Sequence, residues 1–338
     1  MRQEIEHWLN QVWYGKEAPP IWLKALVPVY RGAFLLDRKL KKRIPSDLES
    51  RPILVVGNLT VGGSGKTPLV IRLCKVLRDA GLKVGVASRG YGRESRGLQK
   101  VSVESDPSMV GDEPLLIAQR TSVPVIVAED RCAAARALFA AGVDVVIADD
   151  GLQHHRLPRR MEICVVDGSR TFGNGLQIPA GPLREPLSRL AEVDYVVLNG
   201  EQSLPKPIAN AVRMQLVPGM LRSLNQDMSW RLSQFSGCKV NAVAGIANPE
   251  RFFSSLEQAG LIIERHAWPD HHSFSKDDFS RLNPDFPILM TEKDAVKCRG
   301  LSLSNAWYLG IDAALPGDFE SRVVQGMINA VQQQEMSR

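Results

Sequence analysis

The sequence predicts an α/β protein in which a mostly parallel sheet carries helices on both faces. Short runs of Val, Ile, Leu and Ala alternate with stretches of helical periodicity from residue 52 onward. Most of the short runs are continuously apolar, as in strands that are buried on both faces. Gly81 and Gly142 follow the helical stretches at 68–80 and 131–141, and a glycine at that position commonly ends a helix.

The composition is that of an ordinary globular protein of 338 residues, with 44% hydrophobic and 23% charged residues. This balance excludes a disordered tail protein, a collagen-like repeat and a disulfide-stapled mini-protein. The five cysteines form no Cys-x-x-Cys pair, so neither a zinc knuckle nor a disulfide framework is indicated. We find no secretory signal peptide and no apolar run of the roughly 18 residues that a membrane-spanning helix needs.

The first 44 residues are predicted to form an amphipathic helical segment. The chain has a net charge of +5, and this segment accounts for it with nine Lys or Arg against four Asp or Glu. Trp8, Trp13 and Trp22 accompany a basic cluster at 38–43, a composition typical of a helix in a membrane interface. The alternative is an amphipathic helix packed on its own domain. A nucleic-acid binder usually spreads its basic charge over a folded face, so no nucleic-acid partner is expected.

The rest of the chain divides into two predicted units, a core at 45–204 and a smaller α/β unit at 205–338. The core has predicted strands at 53–56, 84–87, 123–128, 144–148, 162–166 and 195–198. The second unit begins after Pro205 and Pro207. Its predicted strands lie at 242–246, 261–267, 288–290 and 307–311, and its predicted helices at 249–259, 277–282 and 319–334.

The first predicted strand runs into a glycine-rich loop that opens a helix, which is the context of a P-loop and makes the core P-loop NTPase-like. The residues expected to bind nucleotide are Thr60, Val61, Gly62, Gly63, Ser64, Gly65, Lys66 and Thr67. Glycines let backbone N–H groups turn toward phosphate oxygens. In this pattern Lys66 reaches the β- and γ-phosphates and the Thr67 hydroxyl binds Mg²⁺. Thr60 stands where the usual pattern has Gly or Ala.

A carboxylate for the metal is expected at the end of another strand, and the strand at 144–148 ends in Asp149 and Asp150. A hydrophobic strand that ends in Asp is a Walker B arrangement. Asp149 is the better candidate for the Mg²⁺ ligand, with Asp150 next. Guanine-specific P-loop proteins carry Asn-Lys-x-Asp, which is absent here, so ATP is favoured over GTP.

Four further clusters have the character of a chemical site. Arg89 follows the second strand, and a flanked Arg at a strand end suits phosphate binding. Asp112 and Glu113 precede a proline, where the alternative is that they cap a helix. The third cluster is Gln153-His154-His155, where the alternative is that the histidines are solvated loop residues. The fourth is Asp270-His271-His272, where the alternative is a capped turn. Because ligands bind at the carboxyl ends of parallel strands, the first three clusters should gather near the P-loop.

Six ordered motifs resemble the tetraacyldisaccharide 4'-kinase family, the lipid A pathway kinases of Gram-negative bacteria. They lie at 57–68, 88–92, 111–114, 149–154, 270–271 and 291–297. The resemblance covers nearly the whole chain, including the Trp-rich N-terminus. Thr60 at the start of the P-loop, unusual in general, is itself the family's form.

The resemblance implies a P-loop core, a smaller second α/β domain and an N-terminal helix on the inner membrane. It implies transfer of the γ-phosphate of ATP, with Mg²⁺, to the 4'-hydroxyl of an anionic glycolipid, the tetraacylated disaccharide 1-phosphate, to give lipid IVA. ATP confines the site to the cytoplasmic face, so the protein is expected there as a peripheral membrane protein. No obligate protein partner is indicated.

Roles carried over by motif make Asp112 the base on the 4'-hydroxyl and His271 its partner, with His272 as the alternative partner. Lys66 and Thr67 would hold the phosphates. The residues expected around Mg²⁺ are Thr67, Glu113, Asp149 and Asp150, and those expected to contact substrate or phosphate are Arg89, Arg131, Gln153 and His154.

Two other functions remain open on the sequence alone. One is a P-loop ATPase or GTPase that acts as a switch through a protein partner. The other is a soluble kinase for a small metabolite, which the first 44 residues disfavour. The role of 291–297, either at the adenine or as a brace in the second unit, is also open.

Overall fold

The computed structural model describes residues 2–15, 17–40, 45–201, 208 and 210–336. The helices are α1 (Arg2–Tyr14), α2 (Ile21–Leu40), α3 (Lys66–Asp79), α4 (Pro107–Val110), α5 (Asp112–Thr121), α6 (Arg131–Ala140), α7 (Pro249–Gln258), α8 (Lys276–Ser280), α9 (Glu292–Cys298) and α10 (Gly317–Met336).

The strands form one 13-stranded sheet, in the order β11-β10-β12-β13-β8-β7-β6-β1-β5-β2-β4-β3, with β9 paired to β8. They are β1 (Ile53–Gly57), β2 (Val84–Ser88), β3 (Gln99–Val101), β4 (Val125–Val127), β5 (Val145–Asp149), β6 (Met161–Asp167), β7 (Tyr195–Asn199), β8 (Ala211–Ser223), β9 (Ser229–Arg231), β10 (Lys239–Ala244), β11 (Ile262–Ala267), β12 (Ile288–Thr291) and β13 (Ala306–Ala314).

The prediction of a mostly parallel sheet is confirmed. Strand β1 lies between β5 and β6 and is parallel to both, and the antiparallel pairs are β3 with β4, β8 with β9 and β8 with β13. Every residue of β1 is buried. Its side chains alternate between two cores, because Leu54 and Val56 belong to one apolar cluster while Ile53 and Val55 belong to another. Helices therefore cover both faces of the sheet.

Strand β8 links the two halves of the sheet. Its first residues pair in parallel with β7, and its later residues pair antiparallel with β13. The last helix, α10, returns to the first half, where Phe319 packs its ring edge on Tyr195 with 5.1 Å between ring centroids. The division at residue 204 stays a prediction, and Pro205 and Pro207 lie outside the described residues.

The N-terminal segment forms α1 and α2, and it is packed on one side only. Leu23 and Val27 are buried against Ala180, while the opposite face of α2 is exposed and apolar. The exposed side chains on α2 are Ile21, Trp22, Leu26, Val29, Leu35, Leu36 and Leu40. Within the described residues, no helix is long and apolar enough to span a membrane. Lys41, Lys42 and Arg43 of the basic cluster lie outside the described residues.

Candidate active site

The glycine-rich loop connects β1 to α3, as the sequence predicts. Gly62 and Gly65 have φ angles of 101° and 91°, which glycine adopts without steric cost. The Asn199 side chain donates to the carbonyl of Ser64 over 3.0 Å. A Cβ on Gly65 would lie 2.5 Å from that same amide nitrogen. The Asn199 side chain therefore fixes the conformation of the loop at Ser64 and Gly65. The backbone N–H groups of the loop lie at the N-terminus of α3, where anions bind.

Lys66 and Asp150 form an ion pair inside the cleft. The Lys66 Nζ lies 3.5 Å from Asp150 Oδ1, and the Arg184 guanidinium lies 3.3 Å from Asp150 Oδ2. Burial alone would raise the pKa of Asp150, but Lys66, Arg184 and Arg131 outweigh it and hold this pKa below its usual value. Asp150 is therefore ionised and orients the P-loop lysine.

Asp149, at the end of β5, is a fully buried carboxyl with one unused oxygen. Its Oδ2 accepts a hydrogen bond of 3.0 Å from Ser88, whereas Oδ1 has no hydrogen-bond partner among the described residues. Burial, followed by Glu113 and Asp150, raises the pKa of Asp149 to about 7. Gathered carboxylate oxygens with an unpartnered member fit Mg²⁺, which prefers oxygen ligands.

Asp112 and His271 meet across the cleft. Asp112 begins α5 after Gly111, whose φ is 92°, and its Oδ2 lies 3.1 Å from His271 Nδ1. His271 has a φ of 61° and packs on the Tyr91 ring, with 5.4 Å between ring centroids. His272 instead faces Asp278, with 3.3 Å between His272 Nε2 and Asp278 Oδ2. Of the two histidines left open by the sequence, His271 is the one in contact with Asp112.

One cleft brings together residues from three of the four predicted clusters, and the cluster at 153–155 does not line it. Arg89 and Glu113 line it with groups from the P-loop side and from the second half of the chain. The lining residues are Ser88, Arg89, Tyr91, Glu113, Pro114, Asp149, Asp150 and His271. Gly111 provides the N-cap of α5 without a side-chain cap bond, so the alternative that Asp112 or Glu113 caps this helix does not hold.

Gln153 lies at the side of the cleft. Its amide donates to Glu185 Oε1 over 2.9 Å and to the carbonyl of Asn58 over 3.0 Å. Its oxygen accepts a hydrogen bond of 3.3 Å from Arg184. Asn58 in turn donates to the Gly62 carbonyl. Gln153 therefore connects the Walker B strand end to the P-loop.

His154 and Arg131 lie behind Asp150. The His154 Nε2 is 3.2 Å from Asp130 Oδ1, so His154 is not the freely solvated loop residue of the alternative interpretation. Burial, aided by the charge of Arg131, lowers the pKa of His154 to about 4. Arg131 is buried and donates to the carbonyl of Asp150 over 3.4 Å. Arg131 therefore borders the carboxylate pair, while the His154 side chain is held by Asp130 beside it.

Lys293, which the sequence analysis left without a role, lies at the centre of the cleft. Its Nζ is 3.1 Å from Asp270 Oδ1, 3.4 Å from Glu113 Oε1 and 3.5 Å from His271 Nε2. Burial opposes a charge on Lys293, but Glu113 and Asp270 outweigh it and raise its pKa above the usual value. The sequence pointed to Lys293 only through its place in the motif at 291–297. The spacing of that motif did not show which residues its side chain contacts.

The N-terminal helices contact the loops that form the cleft. The Trp13 indole donates to the carbonyl of Pro179 and the Tyr30 hydroxyl to the carbonyl of Arg184, each over 2.9 Å. The Val61 N–H donates to the carbonyl of Pro182 over 2.9 Å. The segment at 179–184 therefore joins α1 and α2 to the P-loop.

Comparison with known proteins gives consistent matches along the chain. Residues 20–328 match the family model described as tetraacyldisaccharide-1-P 4'-kinase. A tetraacyldisaccharide 4'-kinase of Methylobacillus flagellatus is 44% identical over 320 residues, covering 93% of this chain and 94% of the relative. A protein of the same name from Hahella chejuensis is 46% identical over 325 residues, covering 94% and 95%.

A solved structure also matches. It is a crystal structure of LpxK from Aquifex aeolicus, described as the "apo" form in complex with ATP. It superposes with a TM-score of 0.73 at 27% identity, and the match covers 91% of this chain and 99% of that one. The two proteins share the architecture described above over nearly their whole length.

Proposed function

The chain belongs to the tetraacyldisaccharide-1-P 4'-kinase family, and we propose that it transfers the γ-phosphate of ATP to the 4'-hydroxyl of tetraacyldisaccharide 1-phosphate. The product is lipid IVA, and the pathway is lipid A biosynthesis. The family resemblance found in the sequence motifs is thereby confirmed, and the chain is a kinase of this type. The observation that carries the proposal is that one cleft is lined both by His271, which contacts Asp112, and by Asp150, which pairs with the P-loop Lys66.

Asp112 is the base of the proposed reaction. The 4'-oxygen forms a bond to the γ-phosphorus, the bond from that phosphorus to the oxygen of ADP breaks, and the hydroxyl proton passes to the Asp112 carboxylate. A positioned base of this kind typically contributes about 10²–10⁴-fold to the rate. Lys66 and the loop N–H groups hold the phosphates, because catalysis of phosphoryl transfer rests on positioning and charge stabilisation.

Thr67, Glu113, Asp149 and Asp150 are the residues that would hold Mg²⁺. The unpartnered oxygen of the buried Asp149 supports this set. A bound magnesium ion would neutralise charge on the phosphate oxygens during transfer. Because Asp149 is buried, water has little access to its carboxylate oxygens. Asp150 pairs with Lys66 and keeps its ammonium group directed at the phosphates.

Arg89, Arg131, Gln153 and His154 are proposed contacts for phosphate or for the sugar substrate. Arg89 is exposed at the cleft rim, where a guanidinium can bind a phosphate group in a fork. The low pKa of His154 leaves this side chain uncharged at neutral pH, so it would act as a hydrogen-bonding group.

We place the protein on the cytoplasmic face of the inner membrane, as a peripheral protein held by α1 and α2. The exposed apolar face of α2 supports this location, because large exposed apolar patches mark interaction sites. Trp8 and Trp22 stack at 6.0 Å between ring centroids, and aromatic side chains are favoured in the membrane interface. The acyl chains of the substrate would stay in the bilayer while its sugar reaches the cleft.

The test is transfer of labelled γ-phosphate from Mg-ATP to tetraacyldisaccharide 1-phosphate in mixed micelles. We expect a labelled lipid product with the wild-type protein and loss of most of it with Lys66→Ala. Asp112→Ala should lower kcat with a smaller effect on the KM for ATP, as expected of a base that acts in the transition state.

Absence of lipid labelling by the wild-type protein, with slow ATP or GTP hydrolysis remaining, would contradict the proposal and favour the switch protein. Near wild-type transfer by Lys66→Ala would remove the P-loop from the mechanism. A rise only in the KM for ATP would make Asp112 a binding residue.

A further inference from the structure

The first turn of α9 points Lys293 into the cleft. Thr291 caps this helix, since its Oγ1 accepts a hydrogen bond of 3.2 Å from the backbone N–H of Asp294. The Lys293 side chain is mostly buried, at 18% exposure. A lysine placed in this way has little freedom to move away from its neighbours, and its ammonium group must satisfy its three N–H donors inside the cleft.

Three acceptors surround the Lys293 ammonium group, one for each of its donors. They are Asp270 Oδ1 at 3.1 Å, Glu113 Oε1 at 3.4 Å and His271 Nε2 at 3.5 Å. An ammonium group donates three hydrogen bonds and accepts none. Donation from Lys293 to Nε2 requires a lone pair on this nitrogen, and in the neutral ring the proton then lies on Nδ1.

The other ring nitrogen faces the proposed base. His271 Nδ1 lies 3.1 Å from Asp112 Oδ2, so a proton on Nδ1 is donated to the carboxylate. The opposite tautomer would place two lone pairs against each other at this contact. In a neutral imidazole one nitrogen donates and the other accepts, and the partner of one nitrogen sets the state of the other.

We propose that Lys293 is a positioning residue that holds His271 in the neutral Nδ1–H tautomer. This inference rests on the proposed function, in which Asp112 accepts the substrate proton. With the Nδ1–H bond in place, Asp112 stays a carboxylate with one oxygen oriented by His271.

The other charged group near Nε2 is Asp270, whose Oδ2 lies 3.8 Å away. Taken alone, this carboxylate would favour a proton on Nε2. Its Oδ1 already accepts from Lys293 and from the backbone N–H of His271, so its charge is compensated by the ammonium. Tyr91 covers the remaining side of the ring. Lys293 therefore offsets the preference of Asp270 for a proton on Nε2, and Asp112 and Lys293 together favour the proton on Nδ1.

A second ion pair fixes α9 relative to the helix that carries Asp112. Glu292, the neighbour of Lys293, accepts hydrogen bonds of 2.6 and 2.8 Å from Arg120 near the end of α5. Lys293 contacts Glu113 near the start of α5. The Arg120–Glu292 pair remains when Lys293 is changed, so we expect the start of α9 to stay attached to α5 while the contact with His271 is lost.

The test combines ¹⁵N-histidine NMR with steady-state kinetics on the full-length protein. We expect His271 of the wild-type protein to show a protonated Nδ1 and an unprotonated Nε2. Lys293→Met leaves the Asp270 carboxylate without its ammonium partner, so the proton occupancy of Nε2 should rise, and kcat should fall at least about tenfold, in the range of a displaced acid–base group. The KM for ATP should change less than about twofold, since the phosphates are held elsewhere.

Lys293→Arg should keep the Nδ1–H signal and restore most of kcat. Lys297→Met is the matched control, because Lys297 is a buried lysine of the same helix whose partner is Asp294, at 2.7 Å. It should leave the His271 signals unchanged. A wild-type His271 protonated on Nε2 would overturn the proposal, as would a Lys293→Met protein with wild-type signals and kcat. The NMR result does not require lipid transfer, so failure of the proposed function would be seen separately.

Discussion

The charge of Asp149 is expected to depend on what occupies the cleft. Burial, followed by Glu113 and Asp150, raises its pKa to about 7. Between about pH 4 and pH 7 the folded protein therefore keeps a proton on Asp149 that the unfolded chain has released. The stabilising contribution of this carboxyl is present at low pH and is lost as the pH rises through that window.

We expect Mg²⁺ to act against this loss, because a cation binds the ionised carboxylate and competes with the proton. Added Mg²⁺ should raise the unfolding temperature more at pH 8 than at pH 6, and Asp149→Asn should abolish most of that gain. Without Mg²⁺, the Asn variant should unfold at a higher temperature than wild type at pH 8, since it buries no charge. Thermal unfolding followed by circular dichroism measures both effects.

The control for this experiment is Asp227→Asn, which changes an exposed carboxylate and should leave both responses as in the wild type. An Mg²⁺ gain that is equal in Asp149→Asn and in the wild type would remove Asp149 from the set of metal ligands.

Sequence motifs led to the residues of the cleft but not to all of their contacts. Lys66 and Asp149 belong to patterns whose spacing already indicates their chemistry, whereas the role predicted for Asp112 came from the family resemblance. The spacing around Lys293 does not indicate its role, because its partners Glu113 and Asp270 come from distant parts of the chain. Only the packing of α9 against α5 brings these groups to one point.

The helix α2 shows how one element can carry two different faces. Leu23 and Val27 are buried against the protein, whereas Leu26, Val29 and Leu36 are exposed. Burial of a leucine in a packed core stabilises the fold, and truncation to Ala typically costs about 2–5 kcal/mol. An exposed leucine contributes little to folding, so changes on this face test contacts outside the protein without unfolding it.

We therefore expect opposite outcomes from the two faces. Replacing Leu26, Val29 and Leu36 together by Ala should leave the free energy of unfolding within about 1 kcal/mol of wild type, as is usual for surface changes. The same variant should lose most of its binding to anionic vesicles in a flotation assay. Leu23→Ala should instead lower the unfolding free energy, with vesicle binding retained by the molecules that stay folded. Full vesicle binding by the triple variant would make the exposed face irrelevant to the membrane.

Elements with a uniform pattern were predictable from the sequence, and elements with a mixed pattern were not. The continuous apolar runs of β1, β5 and β6 predict buried strands, and the structure buries all their residues. Strand β8 has only Met214 and Leu221 buried and contains Pro218. The sequence of β8 predicts a strand only weakly, because its pairing with β7 and β13, and not its own composition, holds it in the sheet.

At the scale of the whole molecule, the two halves of the chain are joined by the sheet and by ion pairs above it. Strand β8 continues the sheet from β7 to β13. Arg120, on α5 in the first half, pairs with Glu292 on α9 and with Asp312 on β13. Arg120 and Glu292 are both largely buried, at 15% and 9% side-chain exposure. This pair holds α9, and therefore Lys293, against the helix that presents Asp112.

Glu292→Gln should disturb both the stability and the reaction. Removing one partner of a buried ion pair typically costs about 3–5 kcal/mol, because the remaining charge is left uncompensated, although Asp312 keeps part of the Arg120 charge paired. Because of this remaining pairing, we expect the free energy of unfolding, measured by urea titration, to fall by about 2–4 kcal/mol, somewhat less than the usual cost. We also expect a lower kcat in the fraction that stays folded.

The matched control is Asp318→Asn, which breaks the exposed Arg322–Asp318 pair on α10. An exposed pair is worth about 0–1 kcal/mol, so this variant should stay close to wild type in both measurements. If Glu292→Gln were as stable and as active as Asp318→Asn, the contact between α5 and α9 would not be what holds the two halves in register. The cleft would then depend on the continuous sheet alone, and changes in β8 would be the ones to separate Lys293 from Asp112.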